Sequence, residues 1–206
     1  MKKISFKGIN FYTGTYYQIK KQFDKGGVLV APAASALANI DSDNIYFSSL
    51  RNSDIAILDS GFFCILLRIF KFQKVNKLSG FLFLKNFLEN YNNKDKILLI
   101  NPSKKSDYLN NKYLRSSKIY NFKSYLAPHY KKKIADHILL SLVKKYKPRY
   151  IIINIGGGTQ EPLAIYLRNN IKFKISIMCT GAAIAFMTGE QAPINKLIDK
   201  IYLGWL

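Results

Sequence analysis

The feature that most constrains this chain is an apolar run that passes through three glycines into a helical pattern, in the order Tyr150 to Ile155, Gly156, Gly157, Gly158, Thr159, Gln160 and Glu161. The run lacks polar alternation, which predicts a central strand buried on both faces of a parallel sheet. Glycines let the backbone turn sharply and approach a ligand closely. Thr159 is the predicted N-cap of the following helix, and a helix N-terminus is a favourable place for an anion. The loop is therefore either a phosphate-binding loop or only a tight turn.

A second buried strand, within 53–61, ends at Asp59 before Ser60-Gly61. Ligands of open α/β sheets bind just outside the carboxyl ends of the strands. Asp59 is therefore a candidate general base or hydroxyl-binding carboxylate. It is equally a candidate cap for a helix that begins near Phe62, and the two roles are compatible.

The remaining periodicities alternate between strands and helices. They predict strands at 4–12, 28–32, 96–102 and 173–178, and helices at 16–23, 62–72, 79–91 and 130–147, with a polar region from 103 to about 123. No repeat or linker interrupts them. The fold class expected is a single α/β domain, Rossmann-like, with a mainly parallel sheet flanked by helices.

Charge is the outstanding feature of the composition, because 32 basic residues against 12 acidic ones give a net charge of +20. This predicts a polyanionic partner, namely nucleic acid, an anionic membrane surface or a phosphorylated substrate. The alternative is that the lysines reflect the codon bias of an AT-rich genome.

Metal-binding and membrane-spanning patterns are not evident in the sequence. Cys64 and Cys179 lie in apolar runs, as small buried hydrophobes do, and His129 and His137 have no partner at ligand spacing. The Asp41-Ser42-Asp43 stretch is similar to the metal-binding carboxylate pair of many sugar transferases, but capping and turn roles are favoured. Neither a signal peptide nor a membrane-spanning segment is apparent, which predicts a cytoplasmic protein.

Taken in order, these stretches resemble the bacterial WecG/TagA/CpsF glycosyltransferase family. The matching stretches are the strand end 57–61, the basic residue before Gly80, the glycine loop with its Gln-Glu pair, the turn 180–183, and the closing segment around Trp205.

The resemblance implies inverting transfer of a sugar from a UDP-sugar, of the N-acetylhexosamine type, to a polyprenyl-diphosphate-linked saccharide for cell-surface polysaccharide. It implies no essential metal and no cofactor. Asp59 takes the role of the general base, and Lys77 stands where an arginine is usual. The implied donor-binding residues are Lys77, Gly156, Gly157, Gly158, Thr159, Gln160, Glu161 and Gly181. The domain would span 1–206, with a C-terminal helical segment at 193–206.

Several positions depart from the family pattern and predict a different donor sugar. Asn101-Pro102 replaces a glycine-rich turn, Gln191 an arginine, and Gly204 a common glutamate. These changes leave open a catalytically silent relative. The charge, with 14 Tyr and 14 Phe, leaves open a basic nucleic-acid-binding module.

The lysine excess and the implied lipid-linked acceptor predict peripheral docking on the anionic inner face of the cell membrane. The candidate surfaces are Lys131–Lys133 with Lys144–Lys145 on one long helix, and the C-terminal segment. The apolar stripe of that segment is expected to pack on the sheet, in a subunit interface, or on the membrane. Assembly into a homo-oligomer is left open.

Overall fold

A computed structural model of the chain describes residues 2–38, 40–71, 75, 77–131 and 134–191. Within these residues, eight strands form one sheet in the order β1-β2-β4-β3-β8-β7-β5-β6. They are β1 (Lys2–Phe6), β2 (Ile9–Thr13), β3 (Gly27–Val30), β4 (Ile55–Ile57), β5 (Ile97–Asn101), β6 (Phe122–Leu126), β7 (Tyr150–Ile153) and β8 (Ser176–Cys179). The β1–β2 pair is antiparallel and the other pairs are parallel, so the predicted mainly parallel sheet is confirmed.

Helices cover both faces of the sheet. They are α1 (Tyr16–Phe23), α2 (Ala34–Ala38), α3 (Asn44–Arg51), α4 (Gly61–Lys71), α5 (Gly80–Glu89), α6 (Lys104–Ser116), α7 (His137–Tyr146), α8 (Gln160–Asn170) and α9 (Ala183–Thr188), with a 3₁₀ turn at Ile40–Ser42. Helices α2, α3, α4, α7 and α8 pack on one face, and α1, α5, α6 and α9 on the other. This three-layer arrangement is the predicted Rossmann-like α/β fold.

Strand β7 shows why its sequence lacks polar alternation. Ile151 and Ile153 point into the core beneath α7 and α8, whereas Tyr150 and Ile152 point into the core beneath α1 and α5. All four side chains are buried. A strand with helices on both sides has no solvent-facing positions, so it reads as a continuous apolar run.

The predicted first strand is a hairpin instead. Lys7 and Gly8 have φ values of 49° and 79°, which form a two-residue turn between β1 and β2. Two-residue turns with positive φ at both residues match the twist of an antiparallel strand pair. The prediction of a single strand over 4–12 was wrong because the Lys-Gly turn lies inside an otherwise strand-like run.

The predicted helix over 130–147 is shorter, since α7 begins at His137. Asp136 caps it by accepting a hydrogen bond from the Leu139 amide at 2.8 Å. The hydroxyls of Tyr125 and Tyr130 also donate to Asp136, at 2.9 and 2.7 Å. These bonds hold the chain before His137 outside the helix, although its apolar spacing continues the helical period.

The polar region after β5 contains α6 and β6, which the sequence analysis did not assign. Ser103 caps α6, and the buried residues of this helix are Ser106, Asn110 and Leu114. A helix that buries two polar residues and one leucine has too weak an apolar stripe to be recognised by periodicity. The predicted C-terminal segment at 193–206 lies outside the described residues.

Candidate functional site

The predicted site residues follow strands whose carboxyl ends meet at one edge of the sheet. Strands β4, β3, β8 and β7 are successive neighbours there. Asp59 follows β4, Gly181 follows β8, and the glycine loop follows β7. Three inter-strand spacings of about 4.8 Å separate β4 from β7, or about 14 Å. Asp59 and the glycine loop therefore lie at the same edge, with the ends of β3 and β8 between them.

Asp59 is half-buried and lies beside the N-terminus of α5. Its Oδ1 accepts a hydrogen bond of 2.7 Å from the amide of Gly80, the first residue of that helix. The cap of α4 is provided by Ser60, whose Oγ accepts from the Phe63 amide at 3.1 Å. Ser60, and not Asp59, therefore makes the predicted capping contact with α4. Asp59 instead contacts the N-terminus of α5, which favours negative charge.

Gly80 lies close to the ends of three strands, β3, β4 and β8. A Cβ added at Gly80 would lie 3.0 Å from the Ala31 Cβ and 3.6 Å from the Thr180 Cα. The first of these distances is shorter than ordinary contact, so a side chain at this position would push α5 away from β3. Glycine here lets α5 begin directly over the ends of β3 and β8, next to Asp59.

Lys77 lies at the Asp59 end of the edge. It is half-buried, and its charge acts on the thiol of Cys64, as do Arg68 and Asp59. Burial is the main cause that raises the pKa of Cys64 to about 11, and the carboxylate of Asp59 adds to this while the two cations oppose it. Cys64 is therefore a protonated thiol at neutral pH, and its predicted burial is confirmed. Cys179 is also buried, and burial raises the pKa of its thiol well above the usual value.

The glycine loop is a tight turn that borders open space. The Gly156 carbonyl accepts from the amides of Thr159 and Gln160 at 3.3 and 3.2 Å, and Gly158 has a φ of 83°. A Cβ added at Gly156, Gly157 or Gly158 would meet no atom within 4 Å. Thr159 occupies the N-cap position of α8 as predicted, but its side chain makes no capping hydrogen bond. The loop therefore leaves room for a ligand against its backbone.

The carboxylate of Glu161 occupies the place beside the glycine loop and the start of α8 that was predicted for a bound anion. Its side chain is buried, with 1% exposure, and its Oε2 accepts from the Gly158 amide at 2.8 Å. Its Oε1 accepts from the Gln160 Nε2 at 3.0 Å. Burial raises the pKa of Glu161 to about 7, although these two hydrogen bonds and one with its own backbone amide favour the charged form. The Gly158 amide is thus already bonded to a carboxylate of the protein.

Gln160 connects the loops after β7 and β8. It is buried, and its Oε1 accepts from the Gly181 amide at 2.9 Å. With the Gln160 bond to Glu161, this makes a continuous row of contacts from the glycine loop to the end of β8. Gly80 and Asp59 continue the row past Thr180. The structure brings all predicted site residues to one edge, with Gln160 and Glu161 bonded to the protein itself.

A cleft of about 760 Å³ opens on the outer side of the glycine loop. Its walls are Gly157, Gly158 and Thr159 on one side, and the N-terminus of α3 with Tyr130 and Lys131 on the other. Neither Asp59 nor Lys77 lines it. The cleft and the Asp59 end are therefore separate parts of the same sheet edge.

The Asp41-Ser42-Asp43 stretch has turn and capping contacts. Asp43 caps α3 by accepting from the amides of Ile45 and Tyr46 at 3.0 and 2.9 Å. Asp41 pairs with Lys7. In the part of the chain that the structure describes, no group of three or more His, Cys, Asp or Glu side chains is placed to hold a metal ion.

A buried amide cluster at this edge was not predicted. The Oδ1 of Asn101, at the end of β5, accepts from the side-chain amides of Asn110 and Asn154, each at 2.8 Å. Its Nδ2 donates to Asp107 at 2.8 Å. The available signal was an asparagine near the carboxyl end of each of two apolar runs, at Asn101 and Asn154, because the ends of neighbouring parallel strands lie side by side.

Many of the aromatic residues that suggested nucleic-acid stacking lie in the core. Phe11, Phe23, Phe83 and Phe87 are among the largest fully buried side chains. Phe87 packs edge-on against Tyr150 at 4.8 Å between ring centroids. These rings are not available to stack on bases.

A mainly parallel sheet, covered on both faces and with polar loops gathered at one edge, defines a Rossmann-like α/β protein, a class whose members generally bind ligands at the strand ends. The model of the glycosyl transferase WecG/TagA/CpsF family matches residues 4–206. The chain therefore belongs to this glycosyltransferase family, and its role is sugar transfer in cell-surface polysaccharide synthesis, from a sugar donor to an acceptor. A search of curated proteins gave no match.

Proposed function

We propose that the protein is an inverting glycosyltransferase that moves a sugar from a UDP-linked N-acetylhexosamine to a polyprenyl-diphosphate-linked saccharide. The observation that carries this proposal is the position of Asp59, fixed by the Gly80 amide at the same sheet edge as an open glycine loop. Family membership supports the reaction class, and the geometry supports the roles assigned below.

Inversion requires a single displacement at the anomeric carbon of the donor sugar. The acceptor hydroxyl oxygen attacks this carbon, Asp59 takes the hydroxyl proton, and the bond from the carbon to the diphosphate oxygen breaks. UDP leaves with the electron pair of that bond. A base within hydrogen-bond reach of the hydroxyl typically contributes 10²- to 10⁴-fold to such a step. Asp59 suits this role because its bond to Gly80 fixes the orientation of its carboxylate.

The departing diphosphate carries negative charge that needs compensation. Lys77 is the cation of the predicted set, and it lies near Asp59, close enough to act on the same thiol. The second source is the backbone at the start of α8, whose helix dipole favours an anion. We assign the diphosphate to the stretch between these two groups.

Glu161 is better suited to shaping the loop than to touching the donor. Its carboxylate is buried and holds Gly158, so a phosphate that used the same amide would have to displace it. We therefore propose that the donor contacts the open side of Gly156 and Gly157. Gln160 and Gly181 fix the distance between this loop and the neighbouring strand end.

A lipid-linked acceptor implies that the enzyme works at the inner face of the cell membrane. None of the helices in the described residues is long and apolar enough to cross a bilayer. The net charge of +20 supports attachment to an anionic surface. Of the predicted lysine surface, Lys131 is exposed but precedes α7, Lys144 and Lys145 lie in its last turn, and Lys132 and Lys133 fall outside the described residues.

A thermal-shift screen with nucleotides and nucleotide sugars tests the donor assignment. A ligand at 100 times its Kd adds about 2.7 kcal/mol to the free energy of unfolding. UDP and UDP-N-acetylhexosamines should raise Tm, whereas ADP and GDP should not. An RNA oligonucleotide serves as the competitor at moderate salt. Tight RNA binding without any UDP response would contradict the proposal and favour a nucleic-acid-binding role.

A further inference from the structure

Helix α4 is apolar on its outer side as well as its inner side. Phe63, Cys64 and Leu67 are buried against the sheet. The outer face carries five more apolar residues: Phe62, Ile65, Leu66, Ile69 and Phe70. Three of these are exposed, Phe62 by 40%, Ile69 by 57% and Phe70 by 75%, and the other two are half-buried.

These outer residues form one continuous stripe. At about 100° per residue, positions 62, 65, 66, 69 and 70 fall within an arc of about 140°. Helices of soluble domains normally present polar residues on such an arc, and a helix that is apolar all round is expected in a protein core or a membrane. Contiguous exposed apolar surface of this kind marks an interaction site.

The surroundings of the stripe are basic. The sequence from Ser60 to Leu88 contains no Asp or Glu, and Arg68, on α4 itself, is exposed. Helix α4 packs over the β1–β2 hairpin, where the rings of Phe63 and Phe6 are 5.0 Å apart. Lys2, also on β1, is exposed.

We propose that the outer face of α4 inserts into the headgroup region of an anionic bilayer. An apolar face with a basic rim is what binds such a surface, because apolar burial and electrostatic attraction act together. A second copy of the chain fits less well, since pairing two α4 faces would bring two acid-free basic segments together in proteins that each carry +20.

This docking would place the active site at the membrane surface. Gly61, the first residue of α4, is two residues after Asp59. Only this consequence rests on the proposed function, because it supposes that Asp59 acts on a lipid-linked acceptor. Binding of α4 to the bilayer itself does not depend on the reaction.

Flotation with vesicles tests the proposal, using phosphatidylcholine alone and phosphatidylcholine with phosphatidylglycerol. The test variant is Ile69→Ser with Phe70→Ser. The matched control is Tyr108→Ser with Ile138→Ser, which removes an exposed aromatic and an exposed aliphatic residue elsewhere, at 65% and 75% exposure. All four side chains are exposed, so both variants should keep the far-ultraviolet circular dichroism of the wild type.

We expect the wild type and the control to bind the anionic vesicles, and binding to fall as salt is raised. The α4 variant should bind at least about tenfold more weakly, since interfacial binding scales with the buried apolar area. As a second measurement, Phe70→Cys carries an environment-sensitive dye, with the buried Cys64 and Cys179 left unlabelled. Its emission should shift to the blue on anionic vesicles.

Three results would overturn the inference. The first is absence of wild-type binding to anionic vesicles. The second is equal binding by the α4 variant and the control, with no spectral shift at position 70. The third is conversion of the α4 variant from dimer to monomer with unchanged vesicle binding, which would identify a second copy as the occupant. UDP binding by the wild type in solution is measured in parallel. If the wild type does not bind UDP, the proposed function is contradicted but the docking proposal is not.

Discussion

Glu161→Gln should change how the stability of the protein depends on pH. Glu161 is 1% exposed, and burial raises the pKa of its carboxyl from 4.5 to about 7. Between these two values the folded protein binds a proton that the unfolded chain does not. The free energy of unfolding therefore falls as pH rises through this window, and the loss is complete above pH 7.

The magnitude follows from the pKa difference. Each pKa unit corresponds to about 1.4 kcal/mol, so ionisation of Glu161 should cost the wild type about 3 kcal/mol at high pH. A glutamine cannot ionise and avoids this loss. Its amide nitrogen is a donor, however, so it can no longer accept from both the Gly158 amide and the Gln160 Nε2. The lost hydrogen bond should cost about 1 kcal/mol at every pH.

The two effects predict that the stability curves cross. At about pH 4 the Gln variant should be less stable than the wild type by about 1 kcal/mol, and at about pH 8 more stable by about 2 kcal/mol. Urea unfolding followed by circular dichroism across this range measures both values. Glu89→Gln removes a glutamate from the exposed side of α5 and should leave the shape of the wild-type curve unchanged. Parallel curves for the wild type and Glu161→Gln would refute the reasoning.

The loop and the amide cluster give further predictions. Gly157→Val should fold normally, because an added Cβ meets no atom within 4 Å, but should weaken UDP binding in isothermal titration; unchanged affinity would remove this residue from the donor site. Gly158→Val should instead lose about 1–2 kcal/mol of stability, because a φ of 83° is strained for valine, and a wild-type Tm would contradict this. Asn101→Ala should lower the free energy of unfolding by about 3 kcal/mol in urea, since it leaves the amides of Asn110 and Asn154 without their acceptor; a loss below about 1 kcal/mol would show that the cluster contributes little.

Elements with strong local signals were predicted well from the sequence. Helix α1 has the predicted bounds, because Thr15 caps it and a Gly-Gly pair follows it. The buried strand β7 and the turn at Gly158 were also predicted, since both depend on short-range chemistry. The order of Asp59 and the glycine loop along the edge needs the strand order as well, which no local pattern contains.

The errors at α7 and α6 have a common physical cause, which is that polar contacts override or replace apolar periodicity. Asp136 ends the apparent helical period by binding Tyr125 and Tyr130, so α7 begins late. Helix α6 was missed because it buries Ser106 and Asn110 rather than a full apolar stripe. In both cases the side chain that determines the structure is polar, and the spacing of apolar residues carries no information about its contacts.

The central claim, that Asp59 is the general base, is tested most directly by the transfer rate of Asp59→Asn. Asparagine keeps an oxygen that can accept from the Gly80 amide, so residue 59 and the start of α5 should keep their positions while the base is removed. UDP release with a UDP-N-acetylhexosamine and a lipid-linked acceptor should fall about 10²- to 10⁴-fold, with UDP affinity unchanged. Asp41→Asn, which removes an exposed carboxylate that pairs with Lys7, should retain the wild-type rate. Near-normal turnover by folded Asp59→Asn would contradict the assignment.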